Sequence, residues 1–404
     1  MDQSDDVKEP DEAGYAVRIA AGINAFTREE WDSLSGTTRT SKSGYNPFIS
    51  FDFLSALEES GCAVSRTGWQ GHHLRLETAD GRLLGAVPCY VKSHSQGEYV
   101  FDHGWADAFE RAGGNYYPKL QCSVPFTPAT GPRLLVSDRE DASTVRAGLA
   151  AGLKLVTERL GVSSSHVTFA GEDDIATLEA AGFLHRTDQQ FHFFNEAYDC
   201  YDDFLATLAS RKRKALKKER REALSPGISI ERLTGRAITE QAWDDFFTFY
   251  MDTGGRKWGR PYLNRRFFSL IGERMADDIL LVMAKRNGRY IAGAINFIGS
   301  DTLYGRNWGC IEDHPFLHFE VCYHQAIDYA IAHGLARVEA GAQGEHKLAR
   351  GYRPVITRSL HHIADPGLRR PVANYLAQER AEIAAAQAAL EADGPFRKTE
   401  GDND

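Results

Sequence analysis

The sequence predicts an α/β (α+β) protein built as a duplicated domain with mixed central sheets, and three observations carry that prediction. Apolar residues alternate between a period near two and a period near 3.6 along most of the chain, which reads as strands interleaved with helices. The element order of the first half returns in the second. Short motifs mark the return at a spacing of roughly 170–210 residues: Asp80-Gly81-Arg82-Leu83-Leu84-Gly85-Ala86 against Asn287-Gly288-Arg289-Tyr290-Ile291-Ala292-Gly293-Ala294, Ala170-Gly171 against Ala340-Gly341, and Ala181-Gly182-Phe183 against Arg350-Gly351-Tyr352.

Taken in order, residues 1–14 are acidic and polar and are expected to be disordered. A first domain over 15–195 begins with a strand near Ala16–Ala21, a helix from Arg28 to Leu34 and another near Asp52–Glu59. A hairpin follows, His73–Glu77 turning at Asp80-Gly81 into Leu83–Val91. A long helix over Ala142–Leu160 ends at Gly161, the preferred residue for a left-handed cap. It leads to a strand at His166–Phe169, a helix to Ala181 and a strand from Phe183 to Phe194. A second domain over 196–380 opens with a basic helix, 202–223. There the hairpin around Asn287-Gly288, a helix over Phe319–Ala332, a strand at Ala336–Ala340 and a strand at Val355–Ile363 repeat the series. Residues 381–404 are expected to be helical and then disordered.

With 404 residues, 42% hydrophobic and 25% charged, the chain can bury two ordinary cores. The formal net charge is −9, so whole-chain electrostatics give no reason for nucleic-acid binding, and any anion-binding surface must be local. Six cysteines without a C-x-x-C pair read as buried free thiols rather than a zinc or redox site. The acidic N-terminus is no secretory signal, and no apolar run approaches the ~18 residues that span a bilayer. A cytoplasmic location is expected.

Chemistry concentrates in Gly341-Ala342-Gln343-Gly344-Glu345-His346-Lys347-Leu348-Ala349-Arg350-Gly351-Tyr352, where an acid, an imidazole, cations and an amide stand between glycines directly after a strand. A strand-to-helix turn of this kind presents backbone N–H groups to an anion or carbonyl oxygen. Glu345 and His346 are candidate acid/base groups, with Gln343, Lys347 and Arg350 as substrate contacts. The alternative is the solvated first turn of a surface helix. Glu320 and His318, at the start of the next helix upstream, form a second candidate acid/base pair or else a helix-capping charge. Arg256, Trp258, Tyr304, Arg306 and Trp308 supply cations and flat aromatic surface suited to a nucleotide, sugar or peptide. Asp102, Trp105, Tyr116, Tyr117 and Lys119 make a polar-aromatic loop cluster in the first domain. In the basic helix, eight Lys and Arg residues crowd the eleven positions 211–221. Arg211, Arg213, Lys214, Lys217 and Arg221 there are candidate phosphate or tRNA contacts, against the alternative of a linker helix paired to acidic neighbours. No metal-binding, P-loop or serine-triad motif is present.

Several long segments carry a resemblance: Asn46-Pro47-Phe48-Ile49-Ser50, Asp102–Phe109, Asp252–Leu263, Leu303–Cys310, Leu317–Tyr323 and Gly341–Tyr352. Together they resemble the FemAB-like predicted N-acyltransferases of the GNAT superfamily, over roughly Asn46 to Gln378. The resemblance implies tandem GNAT-like domains and transfer of an acyl or aminoacyl group to an amine acceptor such as a peptide or peptidoglycan precursor. It implies no permanently bound cofactor, the donor being an aminoacyl-tRNA or an acyl-CoA. The Gln/Arg-x-x-Gly-x-Gly/Ala loop of acetyl-CoA-binding GNAT domains is missing between Trp308 and Tyr323, and the prolines of Thr127–Pro132 remove amides from a cradle in the first domain. An acetyl-CoA-dependent N-acetyltransferase and a non-catalytic binding module for RNA or a cell-wall precursor stand as alternatives.

Overall fold

The computed structural model describes residues 15–36, 44–225, 227–258, 261–341, 344–392 and 394–397, without the side chains of 257, 258 and 345. Residues 1–14 and 398–404 lie outside the described residues, whereas 394–397, the start of the tail expected to be disordered, is described and Phe396 bridges Leu208. The chain divides into two compact units, 1–188 with 356–384 and 189–355 with 385–404. A linear reading places the boundary at 195 and gives the whole of 196–380 to the second domain. Instead the chain changes unit inside the strands Leu184–Phe194 and Arg353–Ile363. The reason is pairing: Leu360–Ile363 run antiparallel to Ser164–Val167 in the first unit, whereas His192–Phe194 run antiparallel to Arg337–Glu339 in the second.

In the first unit the hairpin His73–Thr78 and Leu83–Val87 joins Tyr15–Ala20 and Leu135–Val136 in a four-stranded sheet. The expected strand over Leu83–Val91 breaks at Pro88, and Cys89–Lys92 pairs elsewhere, with Lys119–Cys122. Proline lacks the N–H a continuous ladder requires. Lys119–Cys122 in turn runs parallel to Ser164–Val167. The helix Ala142–Leu160 closes at Gly161 with φ 62°, and buries Val145, Leu149, Leu153 and Val156 against Leu74, Leu76 and Leu84.

The second unit places Ile228–Leu233, Ile279–Arg286, Arg289–Ile298 and Thr302–Cys310 in successive antiparallel pairs, followed by Arg337–Glu339 in parallel. Asn287 and Gly288 both have positive φ, the geometry a two-residue hairpin turn demands. One face packs Leu280, Val282, Leu303 and Val338 against Val321, Ala326, Ile327 and Phe204. The expected single helix over 202–223 is two, Tyr201–Thr207 and Ser210–Leu224. Leu208 is extended and fully buried there, bridging Phe396, so burial of one leucine outweighs helix continuity. Cys62, Cys89 and Cys122 are buried thiols, but Cys200 is exposed and Cys310 and Cys322 are half-buried, which corrects the expectation of six buried ones.

Candidate functional site

Thr302–Cys310 and Arg337–Glu339 pair in parallel only through Thr302↔Arg337, Leu303↔Val338 and Tyr304↔Glu339. Beyond Tyr304 the first strand continues for six residues against Arg289–Ile298 alone, while the second turns away at Ala340, where Gly341 takes φ 79°. The divergence opens a cleft of about 70 Å³ lined by Asn296, Gly305, Arg306, Asn307, Trp308, Ala340 and, from beneath, His318, Cys322 and Tyr323.

Those last three residues come from a helix that is not uniform. Leu317–Phe319 is α-helical, Glu320–His324 forms a π-helical turn, and Gln325–Ala332 returns to α. Wider turns of this kind are found at functional sites because they re-aim side chains that a regular helix would stack. Here His318, Cys322 and Tyr323 reach the cleft while Glu320 and His324 become fully buried. The His318 ring sits 5.2 Å from Trp308 and 5.5 Å from Tyr323. Phe316, just ahead of the helix, is 38% exposed and has φ 64°, a strained position for an aromatic residue.

Gly344–Gly351 packs against this helix. The expected α-helical turn is a tight 3-10 turn, Glu345–Arg350, bounded by Gly344 and Gly351 at φ 115° and 85°. The His346 imidazole is exposed, and its Nε2 lies 2.9 Å from the Tyr323 hydroxyl. Partial burial, then the positive charges of Arg350 and Lys347, hold it below its usual range, while Glu219 acts in the opposite direction. Lys347 is buried and its Nζ donates to the Gly341 carbonyl at 2.9 Å. Desolvation draws its ammonium down to about 8. Arg350 is not a surface cation. It donates to both carboxylate oxygens of Glu219 at 2.9 and 2.6 Å, to the His346 carbonyl at 2.7 Å, and lies 3.4 Å above the Phe319 ring.

Several sequence-derived candidates are therefore brought together and others are not. Arg306, Trp308 and His318 line the cleft, and His346 meets its lining at Tyr323, whereas Lys347 is buried and bonded to Gly341, the residue after the lining Ala340. Gln343 and the side chains of Glu345 and Trp258 lie outside the described residues. Tyr304 is buried in the sheet beside Glu339, and Arg256 is an exposed helix residue paired with Asp252. Glu320 is corrected from a candidate acid/base group to a structural anion: both its oxygens accept from Arg220, and one also from Gln325 at 2.7 Å. In the first unit, Asp102, Trp105, Tyr116 and Lys119 are buried rather than presented on a loop. Lys119 donates to Ser95, Glu98 and Asp102, Tyr116 donates to Asp102, and Trp105 packs on His361 and Arg186, while Asp102 Oδ1 and Glu98 Oε1 stay buried without a hydrogen-bond partner among the described residues.

The helix Ser210–Leu224 has two characters. Lys217 pairs with Asp202 and Lys218 with Glu222 on the outside, and Arg220 pairs inward with Glu320 and Asp328. Among the described residues Arg211, Lys212, Arg213, Lys214 and Arg221 have no carboxylate partner, and all but Arg213 are exposed. Glu219 escaped the sequence reading although it is the lone carboxylate in 211–221, the signal that one position of a basic run faces inward.

Next to Glu339, His192 is buried and shares a hydrogen bond with Gln190. Burial, then Arg337 and Lys347, lower its imidazole to about 3. The unfolded imidazole binds its proton near 6.5, so His192 stabilises the fold above that value and the contribution is lost as pH falls from 6.5 toward 3. His192→Gln should therefore lose less stability than the wild type across that window. Urea midpoints of both proteins at pH 7 and pH 4 measure it, and parallel shifts would refute it.

Two units of alternating strands and helices, one with parallel neighbours splayed around a helix N-terminus, make a mixed α/β fold. The chain belongs to the FemAB-like family, described as peptidoglycan biosynthesis/recognition, whose model matches residues 22–398. The crystal structure of FemX is similar at TM-score 0.53 and 14% identity, covering 86% of this chain and 98% of that one. L-PGS from Bacillus licheniformis reaches 0.48 at 9% identity, covering 80% and 95%. A tandem GNAT protein from the clavulanic acid biosynthesis pathway reaches 0.43 at 11%, covering 87% and 99%. No curated protein matches the chain. Among the described residues no helix is long and apolar enough to cross a membrane.

Proposed function

We propose that the protein is an N-acyltransferase that moves an aminoacyl group from a charged tRNA to an amine on a peptide or peptidoglycan precursor. The cleft between the diverging strands receives the reacting ester. His346 accepts the proton of the attacking amine as the N–C bond forms, and its lowered affinity for protons keeps the imidazole neutral at physiological pH. The Lys347 ammonium faces the oxyanion of the tetrahedral intermediate, which collapses with loss of the ribose oxygen. That oxygen leaves with the proton from His346. Trp308, His318 and Arg306 form the walls against which the acyl group is held.

The observation that favours tRNA over acyl-CoA is the exposed row of cations Arg211, Lys214 and Arg221 on a chain of net charge −9. Row and cleft belong to the same unit. In the first unit the amide of Gly131, in the loop that would cradle a pyrophosphate, is already donated to the Phe169 carbonyl.

The test is turnover with labelled aminoacyl-tRNA or acetyl-CoA and an amine-bearing cell-wall peptide. Transfer from tRNA supports the reading, transfer from acetyl-CoA alone replaces the donor, and RNA binding without turnover makes the protein a binding module. If the basic helix holds tRNA, Arg213→Ala with Lys214→Ala should reduce the slope of log affinity against log salt by about 1 to 2 while leaving the unfolding midpoint unchanged. An unchanged slope would assign that helix a structural role.

A further inference from the structure

Glu219 faces away from the exposed row of cations on its own helix and holds two elements at once. Its carboxylate takes a bidentate pair from Arg350, in the turn Glu345–Arg350, and a third contact from His324 Nε2 at 2.8 Å, in the π-helical turn. A carboxylate only accepts, so His324 Nε2 donates to Glu219, and Nδ1 shares a hydrogen bond with the Tyr201 hydroxyl at 2.6 Å. Arg350 then extends the chain of contacts: one nitrogen reaches the His346 carbonyl, and the guanidinium plane covers Phe319. The turn that carries His346 and Lys347 is therefore tied to the helix beneath the cleft through one buried carboxylate. Neither turn is regular, and short 3-10 and π segments have little helical hydrogen bonding of their own to set their position.

We infer that Glu219 is a positioning residue, which fixes the turn Glu345–Arg350 over the cleft and makes the basic helix part of the frame of the site. The inference rests on the transferase reading for its consequence, but its physical content is independent of any substrate. Without the Glu219 charge, Arg350 has no carboxylate to hold it at the Phe319 ring. The turn then loses its anchor while the sheet Ile279–Ile298, whose pairing involves none of these residues, keeps its own.

The test is hydrogen exchange on the full-length protein, comparing wild type, Glu219→Gln and Glu219→Asp. In the Gln variant the amides of Lys347, Gly351 and Tyr352, which close the turn onto Gly344, Leu348 and Lys347, should exchange about tenfold faster or more, with Ile279–Ile298 unchanged. The Asp variant keeps the charge on a shorter stem and should fall between the two. Equal acceleration in the strands would reduce Glu219 to a contributor to overall stability and overturn the inference, as would unchanged exchange in the turn. Where turnover is measurable, the Gln variant should lose kcat about tenfold or more with KM for the donor held. A wild type without turnover would sink the transferase reading and leave the exchange result to decide this one.

Discussion

Lys347→Met should lower the rate of acyl transfer by about 10²- to 10³-fold in kcat while the protein stays folded, since one well-placed donor to an oxyanion is worth that much in acyl transfer. The stability half of the expectation follows from burial. The Lys347 ammonium is desolvated and donates to the Gly341 carbonyl, so a thioether of similar length fills the same space without the cost of a buried charge. The pH dependence carries the sign of the mechanism. With its proton held only to about 8, Lys347 is charged at neutral pH and neutral above, so kcat should fall as pH rises through 8. The Met variant should lack that limb. A variant within about threefold of wild type, or a wild-type rate that rises through pH 8, would remove Lys347 from the proposed chemistry and leave it as a tie for the Gly341 turn.

Glu320→Ala should destabilise the second unit by about 3 to 5 kcal/mol, the loss expected when one partner of a buried ion pair is removed. Arg220 loses a bidentate partner and Gln325 loses an acceptor, and both lie against the π-helical turn. Asp328 remains 2.7 Å from Arg220, which places the effect toward the lower end of that range. Urea unfolding followed at residues of the second unit measures it. Glu320→Gln, which keeps one acceptor, should cost less. A loss below about 1 kcal/mol would mean that the pair behaves as an exposed one.

Much of the fold was legible because local signals agree with it. Gly161, Gly334 and Gly351 all take positive φ where a helix or turn ends, and the Asn287-Gly288 turn stands between two strands in register. The helix Ala142–Leu160 begins and ends at the residues its periodicity and cap indicate. The turn Gly344–Gly351 was legible as a break from regular helix because glycines around charged residues imply a backbone that helix formation does not explain. What misled was exposure. Asp102, Tyr116, Lys119, Glu320 and Arg350 read as loop, capping or substrate-contacting polar residues, and each proved to be buried against a partner from another segment of the chain. A charge reads the same in a sequence whether water or a carboxylate neutralises it.

The sequence by itself determined the α/β class, the basic helix and the glycine-bounded turn, because turn chemistry, periodicity and charge density act over a few residues. The tertiary structure alone decided that the chain changes unit within Leu184–Phe194 and Arg353–Ile363, since strand pairing depends on edges formed by segments more than a hundred residues away. It decided too that Arg220 and Glu219 turn inward while Arg211 and Lys214 stay outside. That choice follows from which face of one helix meets the buried carboxylate of Glu320 and the guanidinium of Arg350, an encounter of side chains with no local signature.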